Sequence, residues 1–323
     1  MQHRLFPRAR ALRNCALAIL TLTALGGSPA VARAADPIAT TTQRAVTWLS
    51  AKQQPDGGFG TGFSAGSDVG ATADAIAALA VAGSSVRALK SASGANPLDY
   101  LAAKVAAGGL KTGQIAKVVA GLVAAGADPR AFGGHDLVAD LAAGRDAKTG
   151  VIGDNIFTHS LAMLAFARAK APQPAGAAAA LIAAQNASGG WAFSGVGAPD
   201  VDTTAQSVIA LIAAGYPANS GPAGRGLSYL SGLQNVDGGF PYQSPSEYGT
   251  DSNTNSTALV ILAHIASGDQ PEAWFRPGGY NALGNLVLAQ RPSGAMPYQV
   301  AFPDESVLAT VGAIPALMRQ NLR

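Results

Sequence analysis

The sequence is 323 residues long, 48% hydrophobic and 13% charged, with 22 Lys+Arg, 19 Asp+Glu and one cysteine. Arg4, Arg8, Arg10, Arg13 and Arg33 all precede residue 35, which leaves 17 cations against 19 acids beyond it and no basic run. That balance argues against a nucleic-acid-binding surface, and the lack of any cysteine after Cys15 excludes a disulfide scaffold and a thiolate zinc site there.

In chain order, residues 1–34 read as a secretory leader. Four arginines form the basic start, Cys15 to Leu25 is apolar, and Ala32-Arg33-Ala34 supplies small residues for cleavage. The apolar stretch is too short to span a bilayer and no stop-transfer pattern follows it. Cys15 lies upstream of that stretch, so lipid attachment is not expected. Cleavage near Ala34 is expected to release residues 35–323 as one secreted domain, extracellular or periplasmic, with no transmembrane segment.

Beyond the leader, a seven-residue phrase recurs: Gln53-Gln-Pro-Asp-Gly-Gly-Phe59, Gln185-Asn-Ala-Ser-Gly-Gly-Trp191 and Gln234-Asn-Val-Asp-Gly-Gly-Phe240. A weaker copy runs from Gln290 to Met296, and Met296-Pro-Tyr-Gln299 repeats the ending of Phe240-Pro-Tyr-Gln243. Recurrence at intervals of some tens of residues means one supersecondary unit stacked several times. Gly-Gly after a helix provides a left-handed cap and a sharp exit, and the aromatic that follows buries its ring beneath the turn.

Three- and four-residue apolar spacing predicts six helix pairs. The first members are 42–53, 97–107, 136–143, 175–185, 225–234 and 280–290. The second members are 71–82, 114–125, 157–169, 203–214, 256–267 and 306–318. Gly83, Gly126, Gly215 and Gly268 are expected to end four of the second helices. Asp and Asn near positions 68, 155, 200–202 and 251–255, with Asp304-Glu305, are expected to cap their starts. The predicted architecture is all-α, an (α/α)6 toroid whose inner-helix N-termini surround one mouth.

The phrase resembles the QW-type repeat of the terpenoid-cyclase and prenyltransferase superfamily of α/α toroids. Asp200-Val-Asp-Thr-Thr-Ala205 resembles the Asp-x-Asp-Asp-Thr-Ala signature of cyclases that protonate an alkene or epoxide. Carried over by position, Asp202 would be the general acid and Asp200 its partner, with Thr203 standing at the third acidic position. Protein prenyltransferases of the superfamily need zinc held by Asp, Cys and His, which this chain does not supply. His135, His159 and His264 lack metal-ligand spacing, and His264 reads as a satisfied core residue.

The order of units is also similar to the secreted cobalamin carriers of the intrinsic-factor and transcobalamin type. Thr112-Gly-Gln-Ile-Ala116, Asp202-Thr-Thr-Ala205 and Ala313-Ile-Pro-Ala-Leu-Met318 carry that likeness. It implies ligand binding rather than catalysis, with Gln114, Asp202, Thr203 and Asn255 as polar contacts at the mouth. Tyr242 and Tyr248 would line it, and 241–251 would supply a lid. The resulting expectation is a carrier of a bulky organic ligand, a corrinoid or an isoprenoid, with no required cofactor and a capping protein as a possible partner. The alternatives are a cyclase acting through Asp202 and a structural cell-surface module.

Overall fold

The computed structural model describes residues 36–63, 65–219, 221–276, 279–302 and 304–321; the leader lies outside them. Twelve α-helices alternate between two layers among these residues. The outer set is α1 (Pro37–Ser50), α3 (Pro97–Ala107), α5 (Leu137–Ala143), α7 (Ala177–Ala183), α9 (Gly221–Ser231) and α11 (Ala282–Ala289). The inner set is α2 (Val69–Val81), α4 (Thr112–Ala124), α6 (Ile156–Arg168), α8 (Val201–Ala213), α10 (Thr254–Ser267) and α12 (Val307–Leu317). A two-residue antiparallel pairing of Met296–Pro297 with Glu305–Ser306 is the sole extended ladder longer than a single bridge among the described residues.

Each inner helix packs against the next, and α12 packs against α2, so the inner layer closes into a six-helix barrel. Small side chains permit this. Ala71, Ala73, Ala75 and Ala78 on α2 are almost fully buried, and a Cβ added at Gly121 of α4 would lie 2.7 Å from the Ala73 carbonyl oxygen. The outer helix α1 packs chiefly on α12 rather than on its sequence neighbour α2, so the first helix seals the seam left by the last.

The recurrent phrase forms the corners. In each copy the glutamine side chain donates to the carbonyl of the phrase's first glycine and to a backbone carbonyl of an adjoining unit. Gln185 Nε2 reaches Gly189 O at 2.7 Å and Pro222 O at 2.8 Å. Gln53 does the same with Gly57 and Ala95, and Gln234 with Gly238 and Trp274. Gln290 joins Gly294 to Thr41 at 2.7 Å, which ties the last unit to α1. Phe59, Trp191 and Phe240 are fully buried, each worth ~2–3 kcal/mol of apolar transfer. Their N–H groups, with that of Met296, donate to Thr72, Thr204, Thr257 and Thr310 hydroxyls at 2.9–3.0 Å. In the third unit His159 replaces the threonine: its Nδ1 accepts from Ile152 N–H at 2.9 Å while Nε2 faces the Ala177 carbonyl at 3.0 Å.

The predicted pairs match in number and order. The motif glutamines, expected as helix ends, lie just beyond them because their side chains fold back onto the turn. The first helix begins at Pro37, five residues earlier than expected, with Asp36 Oδ1 capping it. The four glycines at inner-helix ends are all left-handed, with φ of +80°, +67°, +92° and +90°. Lys170 and Arg319 fill the same position after α6 and α12 with φ of +51°.

Gly83 has open space around a built Cβ, whereas at Gly238 that atom would sit 2.3 Å from the Tyr280 carbonyl oxygen. Both residues have positive φ, so Gly83→Ala should cost only the backbone penalty of about 1 kcal/mol. Gly238→Ala must also push apart two units and should cost more than ~3 kcal/mol. Chemical denaturation of the two variants checks this, and equal losses would remove the corner from its structural role.

Candidate functional site

The inner barrel encloses an axial cavity of about 790 Å³. Its wall is mostly aliphatic: Ala77, Ala120, Leu161, Ala258, Leu259 and Leu262 lie among its lining, and Phe157 is the one aromatic residue there among the described residues. Lys170, Gln320 and Asn321 add polar lining, and two further polar groups interrupt the wall. Asp74, Lys117 and Arg168 stand on α2, α4 and α6, while Asp202, Gln206 and Asn255 stand on α8 and α10. The ring order places α8 across from α2, so the two groups face the cavity from different sides.

Asp202 is the second residue of α8, whose cap is Asp200. The Asp200 side chain accepts from the Thr203 N–H at 2.7 Å through Oδ1 and from the Phe193 N–H at 3.1 Å through Oδ2. It is 2% exposed and does not line the cavity. Its own pKa is raised, by burial first, with those amide hydrogen bonds opposing. Capping therefore occupies both Asp200 oxygens and turns the next carboxyl, on Asp202, toward the interior. Ser256, at the start of α10, donates its hydroxyl to Asp202 Oδ1.

The Asp202 carboxyl pKa is pushed up to about 7, chiefly by burial, with the Asp200 charge adding and the Ser256 hydrogen bond opposing. Part of its surface is open, but that surface faces the cavity and protein surrounds the carboxyl. Near neutral pH this group thus exists as an acid in a largely hydrocarbon-lined space. The opposite polar group behaves differently. Lys117 Nζ lies 2.5 Å from Asp74 Oδ2, and the Asp74 charge raises the lysine's pKa. Burial lowers the Arg168 pKa to about 10, which Asp74 partly offsets.

A second hollow of about 710 Å³ lies at the N-terminal ends of α2, α4 and α6 and shares Lys117, Phe157 and Leu161 with the cavity wall. Gln114 lines this hollow instead of the cavity. Its Oε1 accepts from the Lys111 N–H at 3.0 Å and so satisfies the backbone amide at the start of α4. Of the other expected contacts, Asn255 lines the cavity, whereas Thr203 is 1% exposed and lies behind it.

Tyr248 is 91% exposed and lines neither space, contrary to expectation. Tyr242 is 42% exposed; its carbonyl accepts from the Val201 N–H at 2.8 Å. Burial and the charges of Asp200 and Asp202 push its phenol up to about 12, which places the ring near the acid without lining the cavity. Tyr298 holds the equivalent place on α10, where its carbonyl accepts from the Thr254 N–H. The 241–251 segment is tied down by Gln243, which donates to Ala198 and Pro199 carbonyls, and by Asn235, which donates to Thr250. His264 also departs from expectation. It is 1% exposed, edge-on to Trp274, and neither ring nitrogen has a hydrogen-bond partner. Burial lowers its pKa to about 4. Sequence reading missed Gln206; its place four residues after Asp202 was the available signal, since i and i+4 share a helix face.

The raised Asp202 pKa has a signed consequence for stability. The folded carboxyl keeps its proton up to about pH 7, whereas the ordinary value is 3.8. Between these values the folded chain binds more protons than the unfolded one, so this group makes stability fall as pH rises. Subtracting denaturation curves of Asp202→Asn from wild type at pH 4, 5.5 and 7 should isolate that slope. A difference that stays constant with pH would show that Asp202 titrates normally.

The prenyltransferase alpha-alpha toroid domain family matches residues 8–119 and 156–275. Drimenyl diphosphate synthases from Streptomyces showdoensis and Streptantibioticus cattleyicolor are each 34% identical, over 115 and 126 residues. The matched part of this chain spans only 22% of either of those curated relatives. Among solved structures, the type II terpene cyclase MstE from Scytonema superposes with a TM-score of 0.60 at 16% identity, covering 87% of this chain and 98% of its own. It has also been solved with its substrate, geranylgeranyl dihydroxybenzoate. A glycosidase in complex with glucose superposes with a TM-score of 0.55 at 16% identity, covering 88% of this chain and 97% of its own. These structural likenesses establish a common fold. The chain belongs to the prenyltransferase α/α-toroid family.

Proposed function

We propose that this toroid is a terpenoid cyclase that takes a polyprenyl chain into the axial cavity and starts ring closure with a proton from Asp202. The observation that carries this reading is a carboxyl with a pKa of about 7 set in the wall of a mostly aliphatic 790 Å³ cavity. A general acid works best when its pKa lies near the working pH. The similarity to drimenyl diphosphate synthases and to a type II terpene cyclase fold supports it. Chain length is no obstacle, because that cyclase fold is itself covered almost entirely by this single toroid.

In the reaction, the Asp202 proton passes to a terminal alkene carbon and leaves a cation on its neighbour. The π electrons of the next alkene close the ring, the final cation loses a proton to water, and Asp202 regains one from water, so the substrate is isomerised and the acid restored. The Ser256 hydroxyl then hydrogen-bonds the carboxylate left on Asp202 and lowers the energy of the conjugate base. The Phe157 ring and that carboxylate are the groups at hand to stabilise positive charge. Asp200 acts as a helix cap that positions the acid, and its charge raises the acid's pKa.

A corrinoid carrier has less support. Its polar contacts were to be Gln114, Asp202, Thr203 and Asn255, and the fold does not gather them around one opening. Secretion remains part of the proposal: residues 1–34 act as the leader, and N-terminal sequencing of exported protein should find a start near Ala35.

Conversion of C15 and C20 polyprenes, followed by gas chromatography with mass spectrometry, should yield cyclic isomers with wild type. Asp202→Asn should reduce turnover by about 100-fold or more. The rate should fall as pH rises through about 7, because the acid must hold its proton. Unchanged turnover by Asp202→Asn would remove the proposed acid. Retention of polyprenes without conversion would make the protein a carrier instead.

A further inference from the structure

Gln206 sits one helical turn beyond Asp202 on α8, at the cavity wall. It is 3% exposed, and its Nε2 is buried with no hydrogen-bond partner. A buried polar group left unpaired costs about 1–3 kcal/mol, so cores rarely retain one without a use. Its neighbours in the lining do not supply that use. On α10 the lining holds Asn255 at the helix start and then Ala258, Leu259 and Leu262, while Asp202 is engaged by Ser256. An aliphatic side chain of similar size would suit a hydrocarbon ligand better at this place.

We infer that Gln206 is a specificity residue which pairs with an oxygen function on the buried part of the ligand, so that the cavity selects an oxygen-bearing isoprenoid over a pure hydrocarbon chain. The inference rests on the isoprenoid reading of the cavity and adds to it the position and chemistry of a second polar contact. Side chains at i and i+4 have Cβ atoms about 5–6 Å apart. The oxygen therefore lies within roughly one helical turn of the carbon that Asp202 addresses. The amide can present its NH2 to a carbonyl, ether or hydroxyl oxygen, or its carbonyl to a hydroxyl proton. Gln206 is a binding group here and takes no part in proton transfer.

Paired probes give the test. An acyclic C20 polyprene hydrocarbon and its mono-hydroxy and mono-oxo chain derivatives are titrated against the full chain by calorimetry, beside the Gln206→Leu variant. Wild type should bind at least one oxygenated derivative about 10-fold or more tightly than the parent, because an unpaired buried amide penalises the parent. In Gln206→Leu that preference should vanish or reverse, with the parent gaining affinity. The unliganded variant should also melt higher than wild type, since it no longer buries an unpaired amide. Equal wild-type affinity for parent and derivatives overturns the role of Gln206 and leaves the cyclase reading intact. Failure of every probe to bind overturns both. Loss of all binding in a Gln206→Leu variant that still folds, by circular dichroism, would show that the residue shapes the cavity and does not select an oxygen.

Discussion

The side-chain amide of the corner glutamine holds this fold together. At four corners it bridges the glycine carbonyl of its own turn and a backbone carbonyl of an adjoining unit. One NH2 group thus satisfies two main-chain acceptors belonging to different units, which an apolar side chain could not do. The first glycine of the phrase lets the two backbones approach: a Cβ there would fall within 2.6 Å of the adjoining unit's carbonyl oxygen at all four corners. Gln290 makes this bridge to α1, so the joint that stacks neighbouring units also closes the ring.

Closure produces the chemistry. An open stack of the same helices would leave the faces of α2 and α12 in water, with no enclosed axis. Once the ring is shut, Asp202 is surrounded by protein, and burial becomes the largest cause of its raised pKa. The third acidic residue of the cyclase-like signature is replaced by Thr203, yet the carboxyl pKa stays raised because desolvation, with the Asp200 charge adding to it, favours the neutral form. Lys117 shares the same cavity, where the Asp74 charge 2.5 Å away raises the lysine's pKa. One cavity therefore holds a carboxyl that keeps its proton up to about pH 7 on one side and a lysine held charged on the other, a separation set by partners as well as by depth.

The caps at the inner-helix starts serve packing and site together. Asp200 spends both carboxylate oxygens on backbone amides, and this anchors the first turn from which Asp202 projects. Asn253 caps α10 through its single side-chain oxygen, which accepts from the Ser256 N–H at 2.9 Å, and the Ser256 hydroxyl there meets Asp202. The acid is consequently held between two capped helix ends, each further clamped by the carbonyl of Tyr242 or Tyr298 from the following corner. Small displacements of either helix would break the Ser256 contact, so preorganisation of the acid follows from the repeat geometry.

Much of this was legible in the residues themselves. Glycine pairs followed by an aromatic, polar caps and three- and four-residue apolar spacing are local signals, and they yielded the six pairs and the toroid; Asp202 as an acid came only from the likeness of Asp200–Ala205 to a cyclase signature, as the alternative to a carrier. Helix edges were less legible, as at Pro37 and the motif glutamines, because side-chain hydrogen bonds decide where the last turn ends. The composition of the cavity was not legible at all. Gln114 and Asn255 both stand at inner-helix starts, yet one caps its own helix beside a separate hollow and the other faces the axis. Gln206 and His264 look alike as polar residues within apolar helices, but α8 points the first at the cavity while α10 presses the second against Trp274. Which way a side chain points within a closed ring depends on contacts between residues tens or hundreds of positions apart, such as Gln290 with Thr41, and only the folded chain brings those together.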